Sequence, residues 1–499
     1  MKNFFNHQFN LIFLLIVLVE IISFAGFLFP MVNVIAFFVL TILVLIIALY
    51  KPEYGLAILF AELFIGSKGY SFYFTFNGMT ISLRIAFWLI IMSVWIGETI
   101  IAWIKNKKLS IAFCQSSYFF YFIILFIFIA WGLINGAINH NQLDNLFFDF
   151  NGWLYFLLIF PVYEVLQQEK NIQLIGKIFA ASCIWLMIET LLLLFVFSHN
   201  LIIALFVLYS WIRNTGVGEI TQIQSDFFRI FFQSHIFILI SFFFASMIFV
   251  KLAINKTMRQ NLNNFVLIVL TLTTILISFS RSYWLGLAGG ILICWLIWLL
   301  IIKIKFKQFL LINCWWLLAT VISVILIIAI VKFPYPVAPV NGFDAVNLFS
   351  DRAGKLTGEA GALSRWALLP KLWAEITKAP FLGKGFGATV TYQTKDPRVL
   401  ELNPSGEYTT YAFEWGWLDI WLKLGLFGLL AYLAIIIKIS IITLRNQNWL
   451  IASLIIGLLV IALVSISSPY SNHPLGIGYI ILTVSIIDYL KKNRLNNFF

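Results

Sequence analysis

Charge is scarce in this chain: only 11% of its 499 residues are Asp, Glu, Lys or Arg, while 62% are hydrophobic. Soluble domains carry roughly 25% charged residues, so a soluble globular fold is excluded and a polytopic membrane protein is expected. Cysteine is also rare. Cys114, Cys183, Cys294 and Cys314 lie in or beside apolar runs, without zinc spacing or the arrangement of a disulfide framework. No GxxxxGK[ST] loop, HExxH, paired CxxC or DxD occurs, which removes the common phosphate-loop, zinc-hydrolase and metal-held nucleotide-sugar chemistries. No metal site and no cofactor are expected. Internal repeats and low-complexity segments are missing too. The first apolar run has no small-residue cleavage site, so it is expected to be a retained anchor.

Long apolar runs are abundant. A membrane span needs roughly 20 apolar residues. Such runs fall near 9–29, 32–50, 54–66, 81–104, 117–135, 150–166, 172–197, 234–250, 262–280, 283–302, 308–331, 413–437, 449–467 and 474–490. The third is short, and 201–211 reads as a surface helix or a fifteenth apolar segment. The net charge of +12 does not point to nucleic acid, because the cations cluster between the runs, where they set topology. With the N-terminus inside, Lys51, the Lys105–Lys108 cluster, Lys170, Lys251, Lys256, Arg259, Lys303, Lys305, Lys307, Arg445 and the Lys491–Arg494 cluster all fall on the inner side. An even number of spans with both termini cytoplasmic follows.

Three longer connections then face outward: 136–149, 212–233 and about 332–412. The expected organisation is eleven transmembrane helices over 1–331, an outer loop domain over 332–412, and three further transmembrane helices over 413–499. Within the loop domain, LSRWALLPKLWAEITKA places Trp366, Leu369, Trp373 and Ile376 on one helical face. That face suits either the membrane interface or the loop's own core. GKGFG at 383–387 reads as a tight glycine turn with closely packed backbone.

Arg281 sits in ILISFSRSYWLGLAGGILI, a setting that costs ~2.5–3.5 kcal/mol at a helix centre unless the cation reaches the rim or a wet cavity. Arg213, Arg229, Arg352, Arg365 and Arg398 share its outward side. A guanidinium fork matches phosphate oxygens in pairs and stays charged when partly buried. Each arginine alone could be an interfacial anchor snorkelling to lipid headgroups. Several on one face favour a shared anion site.

FRIFFQSHIFILISFF, SFSRSYWLGLAGG, LSRWALLPKLWAEITKAPFLGKGFG and the run into WLKLGLFGLLAY follow the order found in the bacterial O-antigen ligase and O-antigen polymerase superfamily, which this chain resembles over roughly 225–445. Arg229, Arg281, Arg365, Trp373, Pro380, Gly383 and Gly385 carry the resemblance. It implies an all-α polytopic membrane protein of about fourteen transmembrane helices with a large periplasmic loop domain, GT-C-like, in the bacterial inner membrane. It also implies a metal-independent inverting glycosyltransferase taking a glycan from undecaprenyl-pyrophosphate. The acceptor would be another lipid-linked glycan (polymerase) or lipid A–core (ligase). Arg229 and Arg281, helped by Arg365, would hold the pyrophosphate.

The family's ligases place a histidine before the span that follows the loop domain; here that position falls on Glu414, between Phe413 and Trp415. A buried carboxylate can serve as the general base. Alternatively, Glu414 pairs with an outer arginine. Asp419 is a second candidate base. His473 could line the same cavity or cap a turn, and Glu20 and Glu189, in apolar spans, could serve a proton path. A flippase for lipid-linked oligosaccharides is the alternative function, although no repeated halves are evident.

Overall fold

The computed structural model describes residues 4–224, 227–254, 258–336, 360–443 and 448–493. The protein is an all-α polytopic membrane protein. Among the described residues, eleven helices are long and apolar enough to cross a membrane, from His7–Leu28 to Pro474–Lys492. Two shorter apolar helices, Leu262–Ser278 and Trp449–Val464, and the 14-residue helix Pro52–Ile65 match the other apolar segments read from the sequence. In hydrocarbon every backbone N–H and C=O must be satisfied within the protein, so apolar runs of this length fold as helices.

Burial orders the bundle. Pro474–Lys492 is 89% buried over its apolar window and His235–Leu252 is 72% buried, whereas His7–Leu28 and Pro30–Tyr50 are only 22% and 28% buried. The former two form the centre. The latter two turn exposed Leu, Ile and Phe side chains outward, as lipid-facing helices must.

The connections hold more structure than the sequence reading expected. The stretch 136–149 contains the start of the helix Leu143–Asn151, and 201–211 is the N-cap and most of the 13-residue helix Ile202–Asn214. The stretch 212–233 contains an antiparallel hairpin, Gly218–Gln224 with Phe227–Phe232. In the loop domain, residues 337–359 lie outside the described residues. The described part has the helix Ala360–Lys378 and a hairpin, Val390–Gln393 with Glu407–Thr410. These pack on a small core of Leu368, Leu372, Ile376, Ala388, Val390 and Tyr392, with Phe413 and Leu422. The buried face is therefore 368/372/376. Trp366 and Trp373 remain half-exposed, lying edge-on to Trp415 and Trp421 at 5.6 and 5.4 Å. The helix covers the loop's own core, the second of the two roles open to it.

The loop domain is joined to the bundle through a broken helix. Gly416–Thr443 is interrupted at Gly425, with φ 73° and ψ 178°. The break strands backbone groups, and residues 380–386 satisfy several of them. Lys384 N–H donates to Leu422 O at 2.7 Å, Gly385 N–H to Lys423 O at 3.1 Å, and Leu426 N–H to Pro380 O at 2.8 Å. From the other side Asn135 Nδ2 donates to Gly383 O at 2.8 Å, Asn141 Nδ2 to Phe386 O at 2.8 Å, and Phe386 N–H to Gly132 O at 2.9 Å.

A side chain does not fit inside this clamp. Gly385 has φ 80°, and a Cβ there would lie 2.0 Å from Gly136 N. Gly385→Ala is expected to cost about 3 kcal/mol or more, through strain and displacement of the clamped loop. Thermal unfolding of the detergent-solubilised protein checks this; an unchanged Tm would contradict it.

Candidate active site

Arg229, Arg281 and Arg365 come from three different elements. Arg229 lies on the strand Phe227–Phe232, opposite Thr221 of the partner strand. Its Nε donates to Ser278 O at 2.9 Å, and its guanidinium carbon sits 4.8 Å from the centre of the Phe231 ring. This ties the hairpin to the end of the helix Met258–Ser278. A tight corner follows, in which Phe279 takes a left-handed φ of 47°. A phenylalanine seldom adopts that conformation. Its effect is to start the helix Arg281–Leu296 at once, with Arg281 in the first turn and Ser280 and Ser282 joined by hydroxyls 2.9 Å apart. Arg365 arrives from Ala360–Lys378.

Arg229 and Arg281 both lie within electrostatic range of Arg365. Burial lowers the Arg365 guanidinium below the usual arginine range, the like charges of Arg229 and Arg281 lower it further, and Glu219 opposes them. Arg229 is lowered by burial, again with Glu219 opposing. Guanidinium nevertheless keeps its proton in proteins. Three cations that act on one another in this way suit a multiply charged anion. Arg213 stands at the edge, 4.0 Å from Glu219. Arg352 and the side chain of Arg398 lie outside the described residues.

The sequence pointed to an apolar setting for Glu414. Its side chain is instead 49% exposed and forms an ion pair with the Arg365 Nε. Trp415 Nε1 donates to Arg365 O at 3.1 Å, so the start of the next span and the loop helix grip each other beside this pair. Phe413 is buried, but it faces the loop core and does not shield the carboxylate.

Asp419 belongs to another cluster. It is buried, and Lys423 Nζ lies 2.5 Å from its Oδ1 and 2.6 Å from Asp149 Oδ1. Asn472 Nδ2 donates to Asp419 Oδ2, and the Gly387 N–H donates to Asp149 Oδ2 at 2.9 Å. Asp149 thus joins the glycine turn to the bundle. His473 caps Pro474–Lys492, accepting from the Leu475 N–H through Nδ1 at 3.3 Å. Burial pushes it down to about 3, assisted by the cations of Arg84 and Lys68. Glu20 and Glu189 are buried on parallel neighbouring helices. The Lys177–Gln8 hydrogen bond at 2.8 Å and the Phe13–Trp185 ring contact set their common register. The nearby Glu62 is bound to Arg84 at 2.9 Å.

Glu219, Asp149, Lys423 and Asn472 were missed from the sequence. Asp419 and Lys423 stand four residues apart in an apolar span, which is a readable ion-pair signal. Glu219 gave none, because its importance comes from the hairpin register.

In comparison with known proteins, residues 266–433 match the family described as O-Antigen ligase. That stretch contains Arg281, Arg365, Glu414, Asp419 and Lys423, but not the hairpin that bears Arg229 and Glu219. No curated protein and no solved structure matches the chain.

Lys423→Met would leave two buried carboxylates facing each other without a cation. Breaking a buried pair this way costs ~3–5 kcal/mol, and a fall in Tm of the solubilised protein, with loss of loop-domain protection in hydrogen exchange, is the expected result. His473 gives a pH dependence of defined sign. Its folded value of about 3 lies below the ordinary 6.5, so the unfolded chain binds the extra proton. The stability it contributes is complete above pH ~6.5 and is lost as pH falls toward 3. Asn caps without titrating, so the acid-induced fall in Tm should be smaller in His473→Asn than in the wild type.

Proposed function

We propose that this membrane protein transfers a glycan from undecaprenyl-pyrophosphate to an acceptor sugar hydroxyl, with Arg229, Arg281 and Arg365 holding the pyrophosphate; the match of residues 266–433 to the O-antigen ligase family supports the reading. The observation that carries the reading is that Arg229 on the hairpin and Arg281 at a helix start both act electrostatically on Arg365 of the loop domain. Two phosphates require more than one cationic fork, and the leaving group gains charge as the sugar departs. Donors fixed where that charge develops are usually the largest single catalytic contribution.

The lysine-bearing ends of the helices are assigned to the cytoplasm by the positive-inside rule. The hairpin end then faces the periplasm of a bacterial inner membrane. The sugar–phosphate bond of the donor supplies the energy for transfer. An acceptor oxygen attacks the anomeric carbon from the side opposite the pyrophosphate, inverting it, and its proton passes to a carboxylate at the rim. Glu414, read from the sequence as that base, would have to leave its pair with Arg365 to take the proton. In its present pairing it orients the Arg365 fork.

Reconstitution of the full-length protein in nanodiscs with an undecaprenyl-pyrophosphate glycan tests this. Arg281→Ala is expected to reduce kcat/KM by ~10²–10³-fold, and Arg281→Lys to recover only part because it lacks the paired donors. A wild-type rate in Arg281→Ala would remove the cradle from the mechanism. Lengthened lipid-linked chains mark a polymerase, and transfer to lipid A–core marks a ligase. Movement of the intact donor between leaflets, with no new glycosidic bond, would replace the enzyme reading with transport.

A further inference from the structure

We propose that Glu219 is the general base that takes the proton from the acceptor hydroxyl. The inference rests on the glycan-transfer reading above. Glu219 pairs across the hairpin with Phe231, and Thr221 with Arg229. Residues two apart on a strand share a face, so Glu219 and Arg229 are diagonal neighbours within reach of long side chains. The Glu219 charge acts on both Arg229 and Arg365. This carboxylate therefore lies beside the arginine cradle, on the hairpin that supplies one of its walls.

Its availability sets it apart from Glu414. Glu414 is bound directly to Arg365, so its oxygen is already committed to a cation. The ion-pair partner of Glu219 is Arg213 at 4.0 Å, the outer limit of such a contact, and both side chains are nearly half-exposed at 48% and 43%. A base needs an oxygen free to accept from an entering hydroxyl within hydrogen-bond reach. Asp419 is buried between Lys423 and Asn472 and offers none.

In the step, the acceptor O–H proton passes to the Glu219 carboxylate as the acceptor oxygen bonds to the anomeric carbon. The bond from that carbon to the pyrophosphate oxygen breaks, and its electron pair stays on the pyrophosphate, held by Arg229, Arg281 and Arg365. Nothing is oxidised or reduced. Among the described residues, the cations that pair with Glu219 or feel its charge are Arg213 on the preceding helix, Arg229 across the hairpin and Arg365 from the loop domain. All three are permanently cationic, so none of them competes for the acceptor proton.

The test uses full-length protein in nanodiscs with an undecaprenyl-pyrophosphate glycan as donor. It compares wild type, Glu219→Gln, Glu219→Asp and Glu414→Gln, with donor binding measured separately from turnover. Glu219→Gln should bind donor at least as tightly as the wild type, lose ~10²–10⁴-fold in kcat and lose the acid limb of the pH–rate profile. Glu219→Asp should recover part of the rate with the limb present, and Glu414→Gln should retain the limb. If Glu219→Gln turns over within tenfold of wild type with an unchanged limb, or if the limb disappears in Glu414→Gln instead, Glu219 is not the base, while transfer by the wild type still stands. A wild type that neither binds nor transfers the donor overturns both readings.

Discussion

The exchange of backbone hydrogen bonds at Gly425 is the constraint on which the rest of the architecture depends. A helix interrupted inside a membrane protein exposes donors and acceptors that lipid cannot satisfy. Here residues 380–386 take the place of the missing helical turn, and asparagines from the helix Phe119–Ile138 and its following turn hold that segment from behind. The loop domain is therefore bonded into the bundle, and its position is set by main-chain geometry. Arg365 and Glu414 stand on the two sides of this junction, so their pairing depends on it.

The buried Asp149–Lys423–Asp419 group works on the same junction. Lys423 lies in the last turn before the break, and Asp149 receives the N–H of Gly387 immediately after the clamped segment. Such a group contributes little net stability compared with apolar packing. Its contribution is geometric, since a shifted loop would leave a buried charge without its partner. Polar specificity and backbone continuity thus act at one place, and the arginines are assembled around it.

Much of this was legible in the sequence, and what was not has identifiable causes. Apolar length marked the helices because hydrocarbon permits few alternatives. The glycine turn was readable because Gly383, Gly385 and Gly387 repeat where a backbone must approach closely. Arg281 stood out as a charge in an apolar stretch. The hairpin did not, because FFRIFF is as compatible with a helix entering the membrane as with a strand, and only its pairing with Gly218–Gln224 decides. Without that register Glu219 has no visible relation to Arg229. Glu414 was placed in apolar surroundings because its sequence neighbours are aromatic. In the structure those rings point to the loop core and to neighbouring helices, leaving the carboxylate at the edge.

The burial gradient has a consequence for biosynthesis. Pro474–Lys492 fills the middle of the bundle, yet it follows in chain order every other span that surrounds it. Until Pro474–Lys492 is made, the residues of the earlier helices that it covers lack that protein partner. The outlying pair His7–Leu28 and Pro30–Tyr50 can settle early, whereas closure of the centre is deferred to a late event in synthesis.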